Sequence, residues 1–435
     1  MTVAVSGLKF NEVVIETLDG KKVELSNSIL FADYFEDILS PCITMTMQIN
    51  SATTLFNLLP IRGGEKVSFN IDTAFGNFVL DGESSLYVYK VSGLDAQKTN
   101  EFFTLHLVSR EALTNETSRC RRRYGGTLKD TVEKILKEDL ETTKFKSDNI
   151  EQSANSYSFI ANQKKPFHIL TWLGPKAIPV SSSGSTKKSD GGTVNAKGVA
   201  GFLFFENKDG FNFRSIDSLV SSTRSQVGSS DKESIQKYIY NQVIEQNSVG
   251  TERAILNYNI EKSIDLMKSL RIGMYSNKTY FYDIYTNTLT DYVYNLKDEV
   301  NNKLGNKDLT VPKQFESSIS RYMVRVSDKG VLSKEGIAED SGRDNADMAK
   351  SFSRYNLLFT QSLNMVVPCN ITLKVGDIIY AEFPQIDRSD KKGVDEEISG
   401  NYLIKELRHH FEGGQMVTSL NLIRDSYGLY GSNNT

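Results

Sequence analysis

Two stretches near opposite ends of the chain repeat one string of features. The first reads Gly64-Glu65, Tyr87-Val88-Tyr89-Lys90, Leu105-His106-Leu107-Val108 and Arg110-Glu111. The second reads Gly376-Asp377, Tyr402-Leu403-Ile404-Lys405, Leu420-Asn421-Leu422-Ile423 and Arg424-Asp425. Tyr87 to Leu105 is 18 residues, and so is Tyr402 to Leu420. The acid-to-Tyr intervals are 22 and 25, and the final Arg is displaced by one residue. Two unrelated hairpins of similar composition would also resemble each other in this way. Two copies of one module in a single chain is the sharper alternative, and it has a symmetry consequence. Three chains in a ring would present six similar modules, so a three-fold object could mate with a six-fold one.

Both ends read as β. NEVVIE (11–16), ITMTMQI (43–49), KVSFNI (66–71), LYVYKV (86–91) and FFTLHLV (102–108) are short and rich in β-formers. Turn signals at Asp19-Gly20, Gly63-Gly64 and Asp81-Gly82 separate them. That spacing suggests a barrel or sandwich. A helix is predicted after Thr127, which has capping-box spacing to Asp130, with Leu128, Val132, Ile135, Leu136 and Leu140 on one face. Another is predicted from Pro166 to Gly174-Pro175, and a third over 231–246. Residues 181–198 hold almost no large apolar side chain and predict a mobile loop. Lys208-Asp209-Gly210 predicts a hairpin over 200–216, and YFYDIY (280–285) a strand. Residues 327–348 are polar and predict an exposed segment, and from 355 the chain reads as β again.

Composition excludes several function classes. The 435 residues carry a formal net charge of −3, without the positive excess of a protein that holds DNA by its phosphates. Cys42, Cys120 and Cys369 are far apart and show no CxxC spacing, which argues against a disulfide framework or a zinc site. The N-terminus lacks signal-peptide features and no apolar run reaches membrane-spanning length, so a soluble chain made in the cytosol is expected.

YFEDILSPCITMTMQINSATTLFNLLPIRGGEKVSF (34–69) resembles the opening of baseplate hub proteins of contractile-tailed bacteriophages. RIGMYSNKTYFYDIYTNTLTDYVYN (271–295) resembles the middle of that family. LKVGDIIYAEFP, SGNYLIKELRHHF and TSLNLIRDSYG, within 373–428, resemble its C-terminal barrel. Related modules occur in type VI secretion spikes. The resemblance implies a mainly β chain with α+β segments: two tail-tube-like β-barrels and smaller α/β domains. The expected division is 1–111 for the first barrel and 112–199 for an α/β segment containing the loop. Residues 200–245 with 350–430 would form the second barrel, and 246–349 an inserted domain. It also implies a homotrimer in the virion baseplate, below a hexameric tail tube or tube-initiator protein and above a trimeric spike. The tape measure protein would be a further partner, and DNA would pass without sequence-specific binding.

Candidate chemical residues are weighed against that frame. Arg119, Arg121, Arg122 and Arg123, followed by Gly125-Gly126, suggest a phosphate cradle, but no Walker or GxGxxG pattern accompanies them. A solvated or subunit-facing corner is the expectation. His409-His410 are neighbours on a strand and point to opposite faces, and His106 stands alone. No metal site is assigned. No GxSxG or HExxH appears; Glu138-Asp139 are expected on the exposed side of a helix, and Asp390 is one of many carboxylates. Trp172 is expected in a core rather than a carbohydrate platform, and Asp377 at the start of a strand. No catalytic, cofactor or metal residue is therefore assigned, and a structural role is expected. A tail-tip peptidoglycan hydrolase and a receptor-binding tail protein are the alternatives.

Overall fold

A computed structural model describes residues 9–52, 61–73, 76–96, 100–180, 186–187, 193–194, 201–221, 235–240, 251–262, 264–284, 286–296, 303–305, 309, 311–315, 318–326, 345–385, 393–413 and 415–429. The first strands are β1 (Lys9–Glu16), β2 (Lys22–Glu24), β3 (Ile29–Asp37), β4 (Thr44–Ser51), β5 (Lys66–Thr73), β6 (Gly76–Leu80), β7 (Leu86–Ala96) and β8 (Glu101–Ser109). Three small pairs follow: β9 (Arg123–Tyr124) with β10 (Phe159–Ile160), β11 (Thr186–Lys187) with β12 (Thr193–Val194), and β13 (Phe202–Asn207) with β14 (Gly210–Ser215). Then come β15 (Gln236–Ile239), β16 (Asn257–Lys262) and a three-stranded sheet of β17 (Ser276–Asp283), β18 (Thr288–Asn295) and β19 (Arg321–Val326). The last are β20 (Gln361–Pro368), β21 (Ile378–Glu382), β22 (Gly400–Glu412) and β23 (Gln415–Arg424).

One large sheet runs β16-β20-β23-β22-β3-β4-β8-β7-β5-β1-β2, with β6 on β5 and β15-β21 on β22. It contains one five-strand order twice: β3-β4-β8-β7-β5 and β16-β20-β23-β22-β21. The copies agree in backbone detail. Gly64 N–H donates to the Val88 carbonyl (2.7 Å) and Val88 N–H to the Glu65 carbonyl (2.9 Å). Gly376 N–H donates to the Ile404 carbonyl (3.0 Å) and Ile404 N–H to the Asp377 carbonyl (2.9 Å). Both glycines have φ near +90° (95° and 86°), a left-handed conformation that favours glycine. A bulge follows at the same place in each copy, at Tyr89 and at Lys405.

These ladders correct the sequence alignment by one residue. Val88 corresponds to Ile404, so Tyr87 matches Leu403 and not Tyr402. The β8–β23 match stands, with Leu105 and Leu107 equivalent to Leu420 and Leu422. The discrepancy lies in β7, which has a second irregularity between Ser92 and Asp95 that β22 lacks.

The apolar faces of both copies share one core, from Val13 and Met47 to Leu363 and Phe411. A second core forms around the helices Leu128–Lys134 and Pro166–Leu173. Thr127 Oγ1 accepts from the Asp130 amide (3.2 Å), and Leu128, Val132, Ile135, Leu136 and Leu140 are all buried; beyond Lys134 the helix widens into a π turn, Ile135–Asp139. The β13–β14 hairpin joins the two cores. Leu203 and Phe205 face the first, while Phe202, Phe204, Phe211 and Phe213 face the second. The expected helix over 231–246 is replaced, where described, by β15, which pairs in parallel with β21; positions 231–234 and 241–246 lie outside the described residues. Pairing to a sheet edge overrides local helical preference there. Within the polar stretch 181–198 only the β11–β12 pair is described, and 327–344 lie outside the described residues.

A buried carboxylate fastens three of these parts. Glu36 of β3 accepts from Tyr34 Oη (2.7 Å), from the Lys208 amide in the hairpin turn (2.7 Å) and from the Val375 amide just before β21 (2.9 Å). Burial pushes its carboxyl up to about 7, against the opposing pull of those donors. The folded state thus keeps a proton that the unfolded chain, with an ordinary value of 4.5, releases earlier. Stability should fall as pH rises from about 4.5 to about 7, by up to about 3 kcal/mol at 1.36 kcal/mol per pH unit. Urea denaturation of the wild type and Glu36→Gln at pH 5 and pH 8 tests this. The variant should show a smaller difference between the two pH values; an unchanged difference excludes Glu36 as the source.

Candidate functional site

Alternation along the large sheet sorts its side chains onto two faces. In β4, Met45, Met47 and Ile49 are buried, while Thr44, Thr46, Gln48 and Asn50 are half-buried on the other side. In β20, Leu363, Met365 and Val367 face the core, opposite Ser362 and Asn364. The second face carries Thr104 and His106 from β8, Lys90 and Ser92 from β7, Glu406, Arg408, His410 and Glu412 from β22, and Ser419 and Asn421 from β23. Equivalent rows run through both copies. Thr46, His106 and Lys90 lie side by side in the first, as do Asn364, Asn421 and Glu406 in the second. Short polar side chains bond across strands: Asn421 Nδ2 donates to Asn364 Oδ1 (2.9 Å), and Ser92 Oγ meets His106 Nε2 (2.8 Å).

The two copies meet where β22 pairs antiparallel with β3, from Glu406 opposite Asp37 to Glu412 opposite Phe31. On the polar face Asp33 receives both Nε and Nη2 of Arg408, each at 2.9 Å, and His410 Nδ1 at 2.7 Å. On the core face His409 meets Thr418 Oγ1 (2.8 Å) and stacks on Tyr34. Burial pushes its imidazole down to about 3, so it is neutral at physiological pH. The two histidines thus occupy opposite faces, 409 in the core and 410 at the seam. Among the described residues, no group of three or more His, Cys, Asp and Glu is arranged to hold a metal ion.

Beside the seam the polar face hollows into a trough of about 780 Å³. Asp37, Glu261 and Glu406 line it with one guanidinium, Arg408, and Lys405 beside it pairs with Glu406. Glu36 borders it too, with its carboxylate turned to the core. The surface is polar and mildly acidic, without the basic stripe that grips a phosphate backbone.

The remaining candidates lie elsewhere. The arginines at 119 and 121–123 are exposed near the second core. Arg119 donates to the Glu116 and Ser118 carbonyls, and Arg122 pairs with Glu138 and, at 3.8 Å, with Asp139. Asp139 is not on an exposed face, as the helical spacing suggested. Its side chain is 8 % exposed and accepts from Tyr124 Oη (2.6 Å), because the π turn rotates it inward. Trp172 is half-exposed, edge-on to Tyr157 and Phe159, with Lys176 Nζ 4.4 Å from its ring centre. Burial pushes the thiols of Cys120 and Cys369 up, to about 11 and about 12. Asp390 lies outside the described residues. Sequence reasoning missed Asp33, Arg408 and Glu36; only their alternation along β-rich segments was available to mark them.

No family model matches the chain, and no curated protein resembles it closely enough to count as a relative. Solved structures do. The tail protein from Neisseria meningitidis MC58 aligns over 97 % of this chain and 97 % of its own, with a TM-score of 0.50 at 12 % identity. The fold is that of phage tail proteins. The 43 kDa tail protein of prophage MuSo2 from Shewanella oneidensis aligns over 96 % of this chain and 98 % of its own, with a TM-score of 0.50 at 9 % identity. The likeness thus runs over nearly the full length of the chain. Among the described residues no helix is long and apolar enough to cross a membrane.

The Asp33 clasp generates a stability prediction. Arg408 is 43 % exposed and Asp33 9 %, so screening limits the pair, but Asp33→Ala also removes the acceptor of three donor atoms, two on Arg408 and one on His410. The loss should be about 1–2 kcal/mol, read as a lower urea midpoint. Arg408→Lys should recover less than half of the loss seen in Arg408→Ala, because an ammonium cannot reproduce the two-pronged contact.

Proposed function

We propose that this chain is a structural baseplate hub subunit of a phage tail. Three copies form a ring with six similar sheet modules. The ring adapts a hexameric tail tube above to a trimeric cell-puncturing spike below, and its polar sheet face lines the path of the exiting DNA. The observation that carries this reading is the twofold use of one five-strand order, fused through β3 and β22 into a single sheet. A chain so built has three-fold assembly and near six-fold surface together. The trough favours a passage over a binding site, because its carboxylates repel a phosphate backbone weakly and offer it no grip. The first unit is residues 1–111. The second draws on β20–β23 with β15 and β16, so β16 lies beyond the expected boundary at 245/246, and the helices Leu128–Lys134 and Pro166–Leu173 and the sheet of β17–β19 lie outside the ring. The role is mechanical rather than enzymatic.

Two measurements test the proposal. The mass of the purified full chain, alone and with a spike protein, should be three times 48.8 kDa in at least one condition; a monomer in both rejects the ring. Reversing charge on the trough with Asp37→Lys and Glu406→Lys should leave assembly intact and slow genome ejection several-fold. A variant that assembles and ejects at the wild-type rate removes the trough from the DNA path.

A further inference from the structure

We propose that the ring is closed by an intermolecular β-ladder between β7 of one protomer and β16 of the next, and that this seam lacks the ion clasp of the seam within the chain. The inference rests on the ring reading above and adds the contact that makes it.

Two strand edges of the repeated array are open among the described residues. In the first copy β3 has β4 on one edge and β22 on the other. Its counterpart β16 has β20 on one edge, and among the described residues nothing pairs with the other over Asn257–Lys262. In the second copy β22 has β23 on one edge, and on the other β21 followed by β3. Its counterpart β7 has β8 on one edge and β5 beside its first residues. From Lys90 to Ala96 its second edge pairs with no described residue. Each copy therefore exposes the half of the seam that the other copy has filled. Open edges of this kind are templates for another strand. Within one chain β16 and β7 end opposite sides of the repeated array, so a second copy supplies the match.

The register follows from the equivalences already established. Asn259 takes the place of Asp33, because Ile260 faces Leu363 as Tyr34 faces Met45. Asp95 takes the place of His410, because it faces Phe102 as His410 faces Val417. Since His410 pairs with Asp33, Asp95 of one protomer pairs with Asn259 of the next. By the same construction Ser92 stands opposite Lys262, as Arg408 stands opposite Phe35. Both Asp95 and Asn259 are exposed in the single chain, and so is Leu94 (52 %), which the added strand would cover.

The chemistry of the two seams differs. The intrachain seam has Asp33, Arg408 and His410; the intermolecular one has Asn259, Ser92 and Asp95 at the same places. One amide-to-carboxylate bond replaces a bidentate ion pair and a histidine contact. Backbone bonds dominate the second seam, and the ring comes apart there into intact protomers.

Asp95→Cys with Asn259→Cys in the full chain should give disulfide-linked trimers on oxidation, while Asp95→Cys with Asn257→Cys, two positions out of register, should link several-fold less. Amides of Lys90–Ala96 and Asn257–Lys262 should exchange more slowly in the trimer than in the monomer. Installing the whole clasp with Ser92→Arg, Asp95→His and Asn259→Asp should lower the concentration for half-assembly about tenfold. A trimer with no cross-link in register and no added amide protection overturns this seam and leaves the ring standing. A chain that is monomeric with and without spike overturns both. Seam formation with no tightening on installing the clasp overturns the claim that the two seams differ in this way.

Discussion

The antiparallel pairing of β3 with β22 is the constraint on which the rest of the structure depends. Each five-strand copy alone would present a polar and an apolar face with raw edges on both sides. The β3–β22 ladder turns two such pieces into one sheet, and it fixes which face of each copy lies beside which. A slip of one residue there would set Asp33 and Arg408 against His409 and Tyr34, placing charge in the core. The register is therefore held from both faces: by ion pairing at Asp33 on the polar side, and by His409 stacked on Tyr34 on the other.

The seam would not suffice without the segments that lie across it. The β13–β14 hairpin sits between two hydrophobic cores, and its turn supplies one of the donors to Glu36. A buried ion triad does similar work nearby. Lys144 Nζ lies 3.0 Å from Glu111 and 3.5 Å from Glu206, and Glu206 also accepts from the amide of Ile43, just before β4. On the far side, buried Arg354 of the helix Asn345–Leu357 pairs with Asp217 and Asp425. Such groups are costly to bury and add little net stability, but a wrong arrangement would leave charges unpaired.

Much of this was legible in the sequence, and the limits have physical causes. The β8–β23 match could be read because both strands are regular over the compared positions. The β7–β22 match was off by one because β7 carries an extra residue between Ser92 and Asp95 that β22 lacks; Gly93, at φ 65°, marks it, but a lone glycine in a strand does not announce an insertion. The partnerships of β4 with β20 and β3 with β16 were not found. Met45-x-Met47 and Leu363-x-Met365 occupy equivalent places, but apolar alternation of that length is common. The three-stranded sheet also separates β16 from β20 in the chain. The helices at Thr127 and Pro166 were readable because capping and first-turn proline are local. The π turn that carries Asp139 inward was not, since it answers to Tyr124 on another element. The seam residues were invisible for the same reason. Asp33 and Arg408 are 375 positions apart.

The polar face shows how a duplicated sheet can diverge without losing its architecture. The core face must pack against one shared interior, so Met45, Met47, Leu105 and Leu107 are matched by Leu363, Met365, Leu420 and Leu422, similar in size and all apolar. Away from the seam the other face is only required to stay solvated, so His106 can stand where Asn421 does and Lys90 where Glu406 does. The result is a surface whose shape is nearly repeated while its charge is not. In the ring proposed above this separation would be useful: backbone edges and core spacing would carry the symmetry, and polar side chains would distinguish one seam from the next. Charge at a seam then sets its strength without altering its geometry, because ladder hydrogen bonds fix the spacing and side-chain pairs only add to it.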